Sequence, residues 1–166
     1  MTQISEWLQR HYSRIRPGGT VLDLAAGSGR HSVYLADRGY QVTAVDIETR
    51  QLEELGRDDI EILQADLENE PWPLEGRRFD GIIVTHYLWR PLFPKIRQSL
   101  TDGGVIIYET FAEGNERFGR PRNPDFLLKD GELKEQLSGF DILDYHHSIV
   151  TRIPVSLRQG VVARVS

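Results

Sequence analysis

The chain has 166 residues, no cysteine and a net charge of −5, with 39% hydrophobic and 27% charged residues. This length predicts one domain over residues 1–166 with a substantial core, and this composition excludes a disordered or collagenous chain. The missing cysteine excludes disulfides, thiolate metal sites and cysteine nucleophiles, and fits a cytoplasmic location.

Ile4, Trp7, Leu8, Tyr12 and Ile15 recur at helical spacing, so residues 1–16 are expected to form an N-terminal helix stopped by Pro17-Gly18-Gly19. Glu6, Arg10 and Arg14 within it exclude a signal peptide or a membrane span. Thr20–Ala25 is a short apolar run closed by glycine, hence a buried strand. A helix over Arg30–Arg38, a strand over Gln41–Val45, a helix over Thr49–Leu55 and a strand over Ile60–Gln64 follow. Pro71, Pro73 and Gly76 mark a loop. Phe79–Thr85 then reads as a strand buried on both faces, because Gly81-Ile82-Ile83-Val84 lacks alternation.

Pro91 and Pro94 delay the next helix to Lys95–Leu100, and Gly103-Gly104 launches a strand over Val105–Thr110. The long polar stretch 111–129 is expected to be a functional, substrate-side loop. A helix over Gly131–Leu137 precedes two strands, Phe140–Ile149 and Leu157–Val165, with no room between them for a crossover helix. The expected fold is therefore α/β: a doubly wound, Rossmann-like, seven-stranded sheet, mostly parallel, with a C-terminal antiparallel hairpin.

Charge is unevenly spread. Residues 44–70 hold ten acids and two arginines, while residues 145–166 hold three arginines and no acid. An acidic segment beside a balanced body argues against nucleic-acid coating and leaves room for a cationic or neutral ligand.

Ligands of open α/β sheets bind beyond the strands' carboxyl ends. The first strand runs into Asp23-Leu24-Ala25-Ala26-Gly27-Ser28-Gly29-Arg30, whose small residues let a ligand approach the turning backbone. His31 and Ser32 break the dinucleotide pattern G-x-G-x-x-G. Asp46 ends the second strand nineteen residues after Gly27, where an acid can chelate ribose hydroxyls. Asp66, twenty residues further on, can accept from an adenine amino group.

Taken in order with Phe79–Val84 and Leu100–Val105, these stretches resemble the class I S-adenosylmethionine-dependent methyltransferases over the full chain. Leu22–Ala36 and Gly39–Asp46 are similar to the tellurite-resistance-type branch, which includes small-molecule methyltransferases. The resemblance implies S-adenosyl-L-methionine as cofactor and S-adenosyl-L-homocysteine as product. It implies that Asp23 and the Gly27 backbone hold the methionine ammonium and that Gly29 allows close approach. It further implies Asp46 on the ribose, Ile47 packed on the adenine, Asp66 accepting from the adenine amino group and the Leu67 amide donating to a ring nitrogen. Thr85 and His86 line the methyl-transfer position in this reading. Ala25 stands where many members have glycine. A cofactor with a cationic sulfonium and ammonium suits the acidic segment better than a pyrophosphate.

His86 is the candidate general base, against the competing reading of a polar residue that only hydrogen-bonds backbone. The acceptor pocket is expected between the fourth-strand exit, the N-terminal helix and the 111–129 loop, with Tyr87, Trp89 or Phe111 lining it and Trp72 as a further stacking candidate. Arg117, Arg120 and Arg122 could bind an anion but are matched by Glu113, Glu116 and Asp125. His146 and His147 are neighbours on a strand and point to opposite faces, so no metal site is expected. His11 and His31 are given only partner or solvent roles. The leading expectation is a methyltransferase acting on a small-molecule substrate, with neither a membrane nor a nucleic-acid partner. RNA or protein methylation with a partner subunit, a non-catalytic S-adenosylmethionine-binding module and a nicotinamide dehydrogenase are the alternatives.

Overall fold

Seven strands form one sheet in the order β3-β2-β1-β4-β5-β7-β6 in the computed structural model, which describes residues 3–166. β1 (Thr20–Leu24), β2 (Gln41–Asp46), β3 (Ile60–Gln64), β4 (Phe79–Thr85) and β5 (Leu100–Phe111) run parallel. β6 (Asp141–Val150) and β7 (Ser156–Arg164) make the expected antiparallel hairpin, and β7 inserts between β5 and β6. The sheet is thus the mostly parallel, Rossmann-like one read from the sequence. Strand order reverses around β1, which pairs with both β2 and β4, and that reversal opens a crevice at the strands' carboxyl ends.

Successive side chains divide between the two faces of the sheet. Leu22, Leu24, Ile82, Val84, Ile106 and Tyr108 pack with Phe93 and Ile96 of α4 (Phe93–Gln98) and Leu133 of α5 (Glu132–Gln136). Val21, Ile83 and Ile107 pack on the other side with Trp7 and Leu8 of α1 (Glu6–His11). Leu35 of α2 (Arg30–Ala36) and Leu52 of α3 (Arg50–Glu54) complete that face. Helices of five to seven residues do not persist alone in water, so burial of these residues holds them.

The N-terminal helix is shorter than the expected 1–16, of which Met1 and Thr2 lie outside the described residues. The Ser5 hydroxyl accepts from the Leu8 amide at 3.2 Å and starts α1 at Glu6. A 3-10 turn at Tyr12–Arg14 then leads to extended Ile15. Ile15 is fully buried over Gly81, where a Cβ would stand 2.6 Å from its Cδ1. The glycine in β4 is the seat for this segment.

β5 begins at Leu100 rather than Val105. Leu100 pairs with Phe79, and the ladder then jumps to Gly81–Val105, with Gly103 at φ +75° taking up the extra residues. Gly103-Gly104 therefore kinks a strand already begun instead of launching one.

Candidate active site

Beyond β1 the chain turns through Ala25, Gly27 and Gly29, with φ of +56°, +61° and +88°. Such a left-handed conformation costs an alanine about 1–2 kcal/mol, so Ala25 is a strained point in the turn. Asp23, 2% exposed, accepts the Ser32 hydroxyl at 2.7 Å. Burial pushes its carboxyl up to about 6, against the opposing pull of Ser32 and Arg30. A cation is the natural partner for a carboxylate so placed.

Asp46 ends β2 with both oxygens partly used. Oδ2 accepts the Gly27 amide at 2.8 Å and Oδ1 accepts the Glu48 amide at 3.0 Å. A carboxylate offers roughly four acceptor sites, so one remains on each oxygen. Asp66 is more committed: Oδ1 accepts the Glu68 and Asn69 amides at 2.9 and 3.1 Å, and Oδ2 accepts Asn69 Nδ2 at 2.9 Å. Those bonds, the Asn69 amide group foremost, hold its carboxyl below the ordinary range and leave one site on Oδ2. Both acids line a cleft of about 190 Å³ together with Ala25, Ile47, Leu67 and Tyr87. Ile47 is 61% exposed at its rim. Among the residues expected to bind a cofactor, Asp23, Gly27, Gly29 and Thr85 do not line this cleft. Gly27 supports it through Asp46, and Thr85 ends β4 opposite Glu109.

His86 follows β4 with φ +56°. Its amide donates to the Glu109 carbonyl at 3.0 Å, and its ring lies tilted by 32° against Phe111, centroids 4.8 Å apart. His86 is exposed at the strand's end, though neighbouring residues crowd it. This desolvation, with Arg158 and Arg30 nearby, lowers its pKa to about 4. The imidazole is neutral at pH 7.

A second cavity, about 430 Å³, opens beside His86. Arg30, Arg152 and Arg158 line it together with Ser5, Ile153 and Pro154. This cavity lies at the expected fourth-strand exit and beside the N-terminal segment, but the β6–β7 turn, and no residue of 111–129, completes its lining. That segment is tied down elsewhere. Ala112 bridges to Leu128, and Arg90 donates to both Glu132 oxygens and to the Asp125 and Leu127 carbonyls. Of the aromatic candidates, Phe111 supports His86, while Tyr87 borders the other cleft and donates to Glu68 at 3.1 Å. Trp72 and Trp89 pack against the core.

Behind the cavity, Glu109 is 5% exposed. It meets His146 Nε2 at 2.7 Å and accepts from Arg158 at 3.4 Å and from the Ser5 hydroxyl at 3.5 Å. Burial raises its carboxyl, but His146 and Arg158 outweigh that and hold it below the ordinary range. His147 turns to the opposite face, toward Gln159. His31, given only a partner or solvent role from sequence, accepts the Ser5 amide at 3.1 Å and ties down the N-terminal segment. Burial drives its pKa down to about 3, so it stays a neutral acceptor. Arg30, Arg152, Arg158 and Glu109 also escaped the sequence reading as a set. Only the excess of arginine in residues 145–166 pointed toward them.

The sequence profile of the family described as Methyltransferase domain matches residues 21–104, from β1 into β5. The protein-L-isoaspartate O-methyltransferase of Gloeobacter violaceus is 34% identical over 102 residues, 57% of this chain and 49% of that protein. The chain therefore spans about half the length of this curated relative. TehB from Haemophilus influenzae superposes with a TM-score of 0.82 at 21% identity, over 100% of this chain and 64% of that one. The 1,6-didemethyltoxoflavin-N1-methyltransferase of Burkholderia thailandensis, solved with 1,6-didemethyltoxoflavin and S-adenosylhomocysteine, gives a TM-score of 0.67 at 19% identity. That likeness covers 96% of this chain and 81% of the other. Solved structures this distant speak for the fold, and the profile adds kinship across half the chain. On both grounds, this chain belongs to the methyltransferase-domain family and has the class I S-adenosylmethionine-dependent methyltransferase fold.

Proposed function

We propose that this protein binds S-adenosyl-L-methionine across the carboxyl ends of β1, β2 and β3 and methylates a small molecule seated beside His86. The observation that carries this reading is the unspent capacity of Asp46. After satisfying two backbone amides it keeps one acceptor site per oxygen on the 190 Å³ cleft, enough for two ribose hydroxyls. Exposed Ile47 offers an apolar face for adenine, and the remaining Asp66 acceptor suits its amino group. Buried Asp23 suits the ammonium.

When bound, the cofactor supplies an activated methyl carbon. The chain's own work is then alignment. Asp23, Asp46 and Asp66 fix three points of the cofactor, and the cavity beside His86 orients the acceptor. Neutral His86 accepts a proton at its ring from an acceptor that must lose one. The volume of the cavity beside His86, about 430 Å³, suits a small acceptor. A protein acceptor is the second reading, favoured by the isoaspartate O-methyltransferase relative.

Isothermal calorimetry with S-adenosylhomocysteine and with NAD tests the cofactor. Heat with the first and none with the second is expected, and the reverse overturns the reading. Labelled methyl transfer into a metabolite extract, run beside protein and RNA fractions, tests the acceptor. Label chiefly in protein would install the second reading.

A further inference from the structure

The cavity beside His86 has three positive lining residues and no acidic one: Arg30, Arg152 and Arg158. They come from α2, the β6–β7 turn and β7, and each is held in place. Arg30 Nε donates to the Gln3 carbonyl, Arg152 to Glu6 and to the Ile4 carbonyl, and Arg158 to Ser156 and Glu109. These bonds take one or two donors from each guanidinium, which carries five. Fixed forks with spare N–H groups are preorganised for a planar anion and lose little entropy in holding it.

Each arginine faces a carboxylate, but none of those carboxylates enters the cavity lining. Glu109 lies closer to His146, at 2.7 Å, than to Arg158, at 3.4 Å. The Glu6 side chain is 59% exposed and pairs with Arg152 through Nε alone. Burial disfavours the charged form of Arg30, Asp23 favours it and Arg158 opposes it. Burial first, and then Arg158 and Arg30, depress His86.

Size and lining narrow the occupant. A cavity of about 430 Å³ is far larger than an inorganic oxyanion, and exposed Ile153 and Pro154 stand at its edge. We propose that it selects an organic acceptor bearing a carboxylate, gripped by Arg152 and Arg158 with Arg30 alongside, so that the rest of the molecule lies against His86. This inference rests on the methyltransferase reading, since it assigns the acceptor half of the same site.

The test uses the full chain saturated with S-adenosylhomocysteine, at constant ionic strength. Thermal shifts are recorded with matched carboxylates and carboxamides: benzoate and benzamide, nicotinate and nicotinamide, succinate and succinamide. At least one carboxylate is expected to stabilise the complex saturably while its amide does not. Arg152→Gln/Arg158→Gln should weaken that carboxylate about tenfold or more, as loss of charge-assisted bonds predicts, with S-adenosylhomocysteine affinity by calorimetry nearly unchanged. If the double variant unfolds, Arg152→Gln at the rim carries the same test.

Equal shifts with the amides, no shift with any carboxylate, or survival of the shift in the variant would overturn the proposal. So would phosphate or sulfate acting as strongly as the carboxylates, which would reassign the cavity to inorganic oxyanions. A parallel loss of S-adenosylhomocysteine affinity would assign the arginines to the cofactor's own carboxylate. Absence of S-adenosylhomocysteine binding in the unaltered protein would instead remove the underlying methyltransferase reading.

Discussion

Asp46 at the end of β2 reaches back across nineteen residues to the Gly27 amide, 2.8 Å from its Oδ2. One carboxylate thereby ties the second strand's end to the turn after the first. Its two free acceptor sites then face the cleft in a fixed direction.

Asp46→Ala is expected to weaken S-adenosylhomocysteine binding about 10- to 100-fold, since charge-assisted hydrogen bonds contribute roughly 1.5–3 kcal/mol. Titration calorimetry on the folded variant checks this. Unchanged affinity would move the ribose away from β2.

Asp23 makes a pH-dependent prediction with two signs. Its carboxyl titrates at 3.8 unfolded and about 6 folded, so the native state holds the proton more tightly. Stability of the ligand-free protein is therefore full below the unfolded value and declines as pH rises to about 6, by about 3 kcal/mol. Affinity for a ligand ammonium runs the other way, because only the ionised form attracts it. S-adenosylhomocysteine should bind about tenfold more tightly at pH 7.5 than at pH 5, and Asp23→Asn should flatten that dependence. Calorimetry at the two pH values measures both, and a flat profile in the unaltered protein would remove Asp23 from the ammonium site.

His86 is already neutral above about pH 4. If it takes the acceptor's proton, kcat should be level from about pH 5 to 8 and fall in acid as the ring is protonated. His86→Ala should lower kcat about 10²- to 10⁴-fold with little change in S-adenosylhomocysteine affinity. A rise in kcat centred on the ordinary histidine value near 6.5 would show that neither burial nor the arginines govern this ring.

Glu109→Ala leaves His146 and Arg158 without their buried partner. Breaking such a pair costs about 3–5 kcal/mol, roughly 6–20 °C in melting temperature for a chain of this size. Glu109→Gln keeps an acceptor oxygen and should lose less. Because the Glu109 carboxyl is held low in the fold, its contribution is present at neutral pH and disappears as pH falls through the folded value. Thermal melts at neutral and acid pH check the magnitude and the sign.

The strand–helix alternation, the hairpin and the Asp23, Asp46 and Asp66 series were all legible in the sequence. Periodicity and spacing are local properties, and parallel β-α-β units place their strand ends on one side of the sheet. Ile60–Gln64 and Phe79–Thr85 were therefore read with the bounds they have in the fold. The cavity beside His86 was not legible. The acceptor pocket was expected between the fourth-strand exit, the N-terminal helix and 111–129, but Arg90 holds part of that loop through the Asp125 and Leu127 carbonyls. The cavity is lined by residues 3, 5, 30, 86, 152–154 and 158. Only tertiary structure joins them: β7 inserts beside β5, pairing Arg158 with Phe111 and Gly160 with Glu109. Hydrophobic pattern specifies which face of an element is buried, and it is silent about which distant charges the packed elements bring together.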